Sequence, residues 1–294
     1  MPMALRIEVA PVSSFCPGVA RAVKTTEKEL EKGGRPIYSC GPLIHNPAVV
    51  EVLSEHGLEI LDESHEGELS GATVIIRSHG IDSATEERLS RLGARLVDAT
   101  CPTVKRAQDA ARRLLEENRA VVVVGSSDHP EVRAIAGRAG GPVAVVADAA
   151  AAREWAGTLG KPAPPVGVIA QTTVARDAFR SVVEALGEAV GDVKAVDTLC
   201  TAVEQRQEEA VDLAGRVDLL LVVGGRNSSN TRTLAHCCES AGAETHLIED
   251  PGEIELSWLA GVGSVGVTGG ASTPDWLIER TVERLVELSA ETAG

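Results

Sequence analysis

Short apolar runs rich in β-branched residues recur along the chain, at 74–76, 121–124, 143–146, 166–169, 219–223 and 262–267. Runs of this length, bounded by Gly, Ser, Asn or Pro, predict strands buried on both faces. Several are followed by a polar or Gly-containing turn and then by a helical pattern, as over 175–186 and 275–288. Continuous apolar strands alternating with helices predict an α/β fold of parallel sheets with helices on both sides.

A coarse threefold rhythm overlies this pattern. Cys16-Pro17 precedes GVARAVKTTEKEL, Cys101-Pro102 precedes TVKRAQDAARRLL, and Cys200-Thr201 precedes AVEQRQEEAVDLA. The gaps between these cysteines each match about one small domain. Pro suits the first position of a helix, where its missing N–H has no partner to lose. Each cysteine is therefore expected at or just before a helix N-terminus. The chain divides into three related lobes on this reading: 17–101, 102–198 and 199–294, the last joined by an N-terminal strand at 1–16.

Composition narrows the partners. The chain has 294 residues, of which 44% are hydrophobic and 24% charged, as in a globular protein. Aromatic residues make up only 2%, leaving few rings to stack on single-stranded nucleic acid. The 28 basic and 43 acidic residues give a net charge of −15, which argues against nucleic acid and anionic membranes. Any anion site must then be built locally from backbone amides, histidines and hydroxyls. There is no apolar run long enough to span a membrane, and the first residues do not read as a signal peptide. Six cysteines in such a chain read as thiols or metal ligands, which places the protein in the cytoplasm.

Unusual residues collect where the strands end, which is where α/β proteins build sites. His45, His79 and His129 each follow an apolar run, and Glu131 follows in HPE. Thr172 lies in QTT, Ser228, Ser229 and Asn230 in GGRNSSN, and Ser272 in TGGASTPD. Glycines followed by Ser-Ser-Asn at a helix start suit an anion, although the same residues also serve as ordinary helix caps. Three histidines at strand ends can donate hydrogen bonds to an anion or bind zinc. In a pocket poor in water Glu131 becomes a proton donor; on a helix's first turn it is simply a favourable charge. Thr172 reads equally as a proton relay or as a cap. Cys16, Cys101 and Cys200 lack the close pairing of structural zinc sites and suit a cluster with one iron lacking a protein ligand. The plain alternative is three inert buried thiols. Cys40, Cys237 and Cys238 carry no such signal.

Taken in order, FCPGV, LIHNP, SHG, DATCP, HPEV, QTT, C-x6-Q, GGRNSSN and GASTPD resemble the 4-hydroxy-3-methylbut-2-enyl diphosphate reductase (LytB/IspH) family over about residues 15–285. The resemblance implies three α/β lobes around one central 4Fe–4S cluster held by Cys16, Cys101 and Cys200. It implies a diphosphate held by His45, His79, His129, Ser228, Ser229, Asn230 and Ser272, with Glu131 donating a proton beside Thr172. It further implies reductive dehydroxylation to isopentenyl and dimethylallyl diphosphate, the last step of the non-mevalonate isoprenoid pathway. Electrons would come from an external donor such as ferredoxin or flavodoxin. The chain departs from the family's C-x-A-T at Val203, where a hydroxyl residue is common, and at Gln205, where Asn or Lys often stands. Two readings from the residues alone compete: a phosphate-binding α/β protein with structural cysteines, and a zinc hydrolase built on the three histidines.

Overall fold

The computed structural model describes residues 5–293. Residues 1–4 and 294, included in the expected N-terminal strand and third lobe, lie outside the described residues.

Strands β1 (Arg6–Val9), β10 (Leu219–Val223), β11 (Glu244–Ile248) and β12 (Ser264–Gly269) form a parallel sheet in the order β1-β12-β10-β11. Strands β2 (Ile37–Cys40), β3 (Leu58–Leu61), β4 (Thr73–Ile76) and β5 (Arg95–Asp98) form a second in the order β3-β2-β4-β5. Strands β6 (Ala120–Val124), β7 (Val143–Val146), β8 (Val166–Ala170) and β9 (Val193–Ala195) form a third in the order β7-β6-β8-β9. The order is the same in all three, except that β1 takes the fourth place in the sheet built otherwise from the C-terminal part of the chain.

Helices alternate with the strands. Helices α1 (Pro17–Lys32) and α2 (Pro47–Glu55) stand on either side of β2 in sequence, and α3 (Ser83–Arg91) and α4 (Pro102–Glu116) on either side of β5. Helices α5 (Pro130–Arg138), α6 (Ala149–Gly157) and α7 (Arg176–Val190) connect β6 through β9. Helices α8 (Thr201–Ala214), α9 (Ser229–Ser240) and α10 (Asp275–Ala293) accompany β10 to β12.

Contacts divide the chain into two compact units. One comprises Met1–Ala20, Ile44–Val52 and Thr201–Gly294 and holds the sheet containing β1; the other comprises Arg21–Leu43 and Leu53–Cys200 and holds the other two.

Strand alternation explains why the central strands read as unbroken apolar runs. On β6, Val122 and Val124 pack with Phe179, Val182 and Leu186 of α7, whereas Val121 and Val123 pack with Ala107, Ala111 and Leu114 of α4. On β10, Leu219, Leu221 and Val223 meet Leu277, Leu285 and Leu288 of α10. Leu220 and Val222, on the opposite face, meet Leu213 of α8 and Leu234 of α9. Each fully buried Val or Leu contributes about 1.5–3 kcal/mol relative to its exposed state.

All six runs read as strands are strands, with the last shifted to Ser264–Gly269. The helix expected over 175–186 extends to Val190 and stops at Gly191, whose φ of 82° suits a residue without a Cβ. No helix among the described residues is long and apolar enough to cross a membrane.

Candidate active site

The repeated sheet order gives the chemical residues repeated addresses. Cys101, Cys200 and Cys16 follow the fourth strands β5, β9 and β1, and each immediately precedes a helix, α4, α8 or α1. Each cysteine N–H donates to a carbonyl two residues beyond the third strand of its own sheet. Cys101 bonds Ser78 at 2.9 Å, Cys200 bonds Thr172 at 3.0 Å and Cys16 bonds Ala271 at 2.9 Å. His45, His129 and Ser228 likewise stand five residues past the second strands β2, β6 and β10.

In the unit that holds two sheets, the expected residues form a chain of contacts. The rings of His79 and His129 meet edge to face with centroids 5.5 Å apart. His129 caps α5: its Nδ1 accepts the Glu131 N–H at 3.2 Å, which puts the proton of the neutral ring on Nε2. Glu131 is only 2% exposed. Its Oε1 accepts the Thr172 N–H at 2.6 Å and its Oε2 accepts the Thr172 hydroxyl at 3.0 Å. Thr172 then joins the cysteine loop through its carbonyl, the acceptor of the Cys200 N–H.

Burial raises the Glu131 pKa from the usual 4.5 to about 7, and the two Thr172 hydrogen bonds oppose the rise without cancelling it. The carboxyl is thus poised to hold or release a proton near neutrality. Glu131 lies in the first turn of α5, as the helix-start reading expected, and its carboxyl faces Thr172. The cap reading of Thr172 is corrected: α7 begins at Arg176 with Ala175 at its cap, and the Thr172 hydroxyl is bonded to Glu131 instead.

The other unit gathers Cys16, His45, Ser228, Ser229, Asn230 and Ser272. Ser228 caps α9, its side chain accepting the Thr231 N–H at 3.3 Å. The glycines before it allow two close approaches. A Cβ at Gly224, where φ is 148°, would lie 2.8 Å from Thr273 Oγ1, and one at Gly225 would lie 2.4 Å from the His45 carbonyl oxygen. Ser272 donates its hydroxyl to that same carbonyl at 3.2 Å. The GGRNSSN turn, the His45 segment and Ser272 therefore hold one another. Asn230 is 5% exposed, and neither end of its amide has a hydrogen-bond partner among the described residues. A buried amide left in this condition costs free energy that an anion or hydroxyl ligand would recover.

The cysteines divide by environment. None of the six is disulfide-bonded. Cys40 and Cys238 are fully buried, and burial pushes both thiols upward, Cys238 to about 12, which makes them poor thiolates. Cys16, Cys101 and Cys200 are partly exposed. Cys101 occupies the N-cap of α4 without making a side-chain cap bond, and Cys16 Sγ accepts the Val19 N–H at 3.4 Å. Sulfur at a helix start is a setting in which cysteines ligate metals.

Sequence reading missed three arginines bonded to the loops that carry these cysteines: Arg21, Arg106 and Arg206. Their own positions on helices carried no distinguishing signal, although the repeated VDxxC before Cys101 and Cys200 marked two of the loops.

Known proteins resemble this chain along nearly its whole length. A 4-hydroxy-3-methylbut-2-enyl diphosphate reductase of Geobacter metallireducens is 42% identical, the match covering 98% of this chain and 100% of that protein. The Aquifex aeolicus protein of the same name is 39% identical over 96% of each chain. A solved structure of (E)-4-hydroxy-3-methyl-but-2-enyl diphosphate reductase, the terminal enzyme of the non-mevalonate pathway, superposes with a TM-score of 0.70 at 38% identity. It covers 96% of this chain and 99% of its own. The Plasmodium falciparum reductase structure, with a TM-score of 0.86 at 24% identity over 96% of this chain and 88% of its own, shares the fold. The model of the LytB protein family matches residues 7–286, so the cysteine, histidine and Ser-Ser-Asn segments all lie within the match, and the chain belongs to that family.

Proposed function

We propose that the chain reduces 4-hydroxy-3-methylbut-2-enyl diphosphate to isopentenyl and dimethylallyl diphosphate. The allylic C–O bond breaks with uptake of two electrons and two protons, and the hydroxyl leaves as water. The observation that carries this reading is the buried Glu131 carboxyl, titrating near neutrality and joined through Thr172 to the Cys200 loop. It sits in a chain that matches relatives named as this reductase along nearly their full length.

Cys16, Cys101 and Cys200 would hold one 4Fe–4S cluster. The donor set fits, since these thiols stand at helix starts and escape the burial that disables Cys40 and Cys238. Such a cluster supplies single electrons and a Lewis-acidic iron lacking a protein ligand. The protein supplies position and protons. Glu131, fixed by two bonds from Thr172, would release its proton as the hydroxyl departs. His45, His79 and His129 would hold the diphosphate with Ser228, Ser229, Asn230 and Ser272. An external donor such as ferredoxin or flavodoxin would deliver the electrons in the cytoplasm. The same reading divides the chain into lobes 17–101, 102–198 and 199–294, with residues 1–16 joined to the last.

Anaerobically purified protein, given a chemically reduced viologen and the hydroxylated diphosphate, is expected to form both isopentenyl products and water. Binding of the diphosphate without turnover by iron-loaded protein would overturn the reading in favour of a phosphate-binding protein.

Asn230 supplies a separate prediction. Asn230→Leu keeps the branching and heavy-atom count, and removal of the unpaired amide offsets the bulk of its methyl groups, so the ligand-free fold should lose little stability. The KM for the diphosphate should rise about tenfold, the scale of one hydrogen bond to a charged group. Unfolding curves and steady-state kinetics on the same preparation check both outcomes.

A further inference from the structure

The three missed arginines follow one rule. Arg21 lies on α1, the helix after Cys16, and its Nη1 donates at 2.9 Å to the carbonyl of Thr100, the residue before Cys101. Arg106 lies on α4, the helix after Cys101, and its Nη2 donates at 3.0 Å to the carbonyl of Leu199, the residue before Cys200. Arg206 lies on α8, the helix after Cys200, and donates to the carbonyls of Val12, at 3.0 Å, and Ser14, two residues before Cys16. We infer that these arginines form a cyclic set of clasps, in which the helix following each cysteine fixes the loop that presents the next, and that Arg21, Arg106 and Arg206 are positioning residues for the cluster ligands. The inference rests on the ligand roles proposed above.

The details fit a presenting device. At Cys101 and Cys200 an aspartate three residues earlier tightens the same loop. Asp98 Oδ1 accepts the Thr100 N–H at 2.9 Å, and Asp197 Oδ1 accepts the Leu199 N–H at 3.0 Å. Each turn aligns the carbonyl that the arginine takes. The loop before Cys16 lacks that aspartate, and α8 compensates with more bonds. Glu209 Oε2 accepts the Val12 N–H at 2.9 Å while Arg206 takes the Val12 carbonyl, and Arg206 also donates to Gly269 at 2.5 Å, at the end of β12. Arg206 is 1% exposed. A guanidinium this buried must spend its donors on fixed acceptors, and here three of those acceptors are main-chain oxygens. Together with the cysteine N–H bonds to Ser78, Thr172 and Ala271, each ligand loop is held at its carbonyl side and at its amide side. A ligand set held this way is preorganised, so closing a cluster site costs little further ordering.

The order of the clasps makes the test specific. Arg21→Met, Arg106→Met and Arg206→Lys are prepared anaerobically with iron loaded, and amide hydrogen exchange is read by peptide alongside iron release to a chelator. Arg21→Met should speed exchange about tenfold at 98–101 and leave 12–16 and 197–200 unchanged, the scale expected for losing one charge-assisted hydrogen bond. Arg106→Met should do the same at 197–200 alone. Each should release iron faster than wild type. Lysine can serve a single carbonyl, so Arg21→Lys and Arg106→Lys should recover slow exchange. Arg206→Lys, asked to reach three carbonyls, should still loosen 12–16 and not the other loops. Exchange rising uniformly, rising at the cysteine on the arginine's own helix, or rising in place without faster iron release would overturn the inference. Wild-type protein that takes up no iron would instead remove the ligand roles on which it rests.

Discussion

Glu131→Gln is expected to keep its iron and lose turnover by roughly 10²–10⁴-fold, the usual worth of a positioned general acid. Glutamine preserves the geometry: its amide oxygen accepts the Thr172 N–H and its amide nitrogen lies beside the Thr172 hydroxyl, where the carboxylate oxygens now make both bonds. What disappears is the proton. In the wild type the carboxyl carries that proton below its pKa of about 7, so kcat limited by this group should fall as pH rises through about 7. The Gln variant should lack that limb. Stability gives an independent sign. The folded pKa of about 7 lies above the ordinary 4.5, so Glu131 adds stability fully below about 4.5 and loses it as pH rises to about 7. Glu131→Gln should therefore flatten the pH dependence of unfolding in that window. Full activity in the Gln variant would remove the proton-donor role.

Cys101→Ser should separate folding from function with opposite signs. The residue is the N-cap of α4, with φ −57° and ψ 134°, and its thiol makes no cap bond. Serine is among the best residues at such a position, so the metal-free fold should gain roughly 0.5–1 kcal/mol. The same change removes one of three proposed ligands. Wild-type protein should be brown, with about four irons per chain and matching acid-labile sulfide. Cys101→Ser should lose most of both, together with activity. Cys40→Ser supplies the contrast, because Cys40 is a fully buried thiol that ends β2. It should lose stability and keep its iron. Equal iron in wild type and Cys101→Ser would remove Cys101 from the ligand set.

The buried strands β4, β6, β8 and β10 were legible because both faces are covered, which leaves no polar position to break the run. Strands β3, β5, β9 and β11 were not, and β1 was read only as a strand somewhere within 1–16. They read RIEV, LEIL, RLVD, VKA and ETHLI, and each lies at the edge of its sheet, where solvent admits charge. The site divides along a similar line. Cysteines before helix starts, histidines after apolar runs and the GGRNSSN turn announce themselves locally. The choice between relay and cap for Thr172 did not, because it depends on Glu131, 41 residues away in sequence. The arginine clasps were hidden for the same reason. Arg21 and Arg106 read as ordinary polar positions on amphipathic helices, and only the carbonyls they reach give them a role.

The placement of β1 sets an order of events during synthesis. Its partner is β12, with Arg6 beside Ser264, so among the described strands β1 waits longest for its neighbour. At 5–20 residues per second the wait lasts roughly 10–50 s. The sheets built from residues 37–98 and 120–195 have all their strands by then, whereas the Cys16 loop must wait for the Ala271 carbonyl that its amide bonds. The Cys101 and Cys200 loops can be seated before residue 271 is made, and the Cys16 loop only after it. With Cys16, Cys101 and Cys200 as the proposed ligands, iron delivered before residue 271 is made would meet an incomplete set.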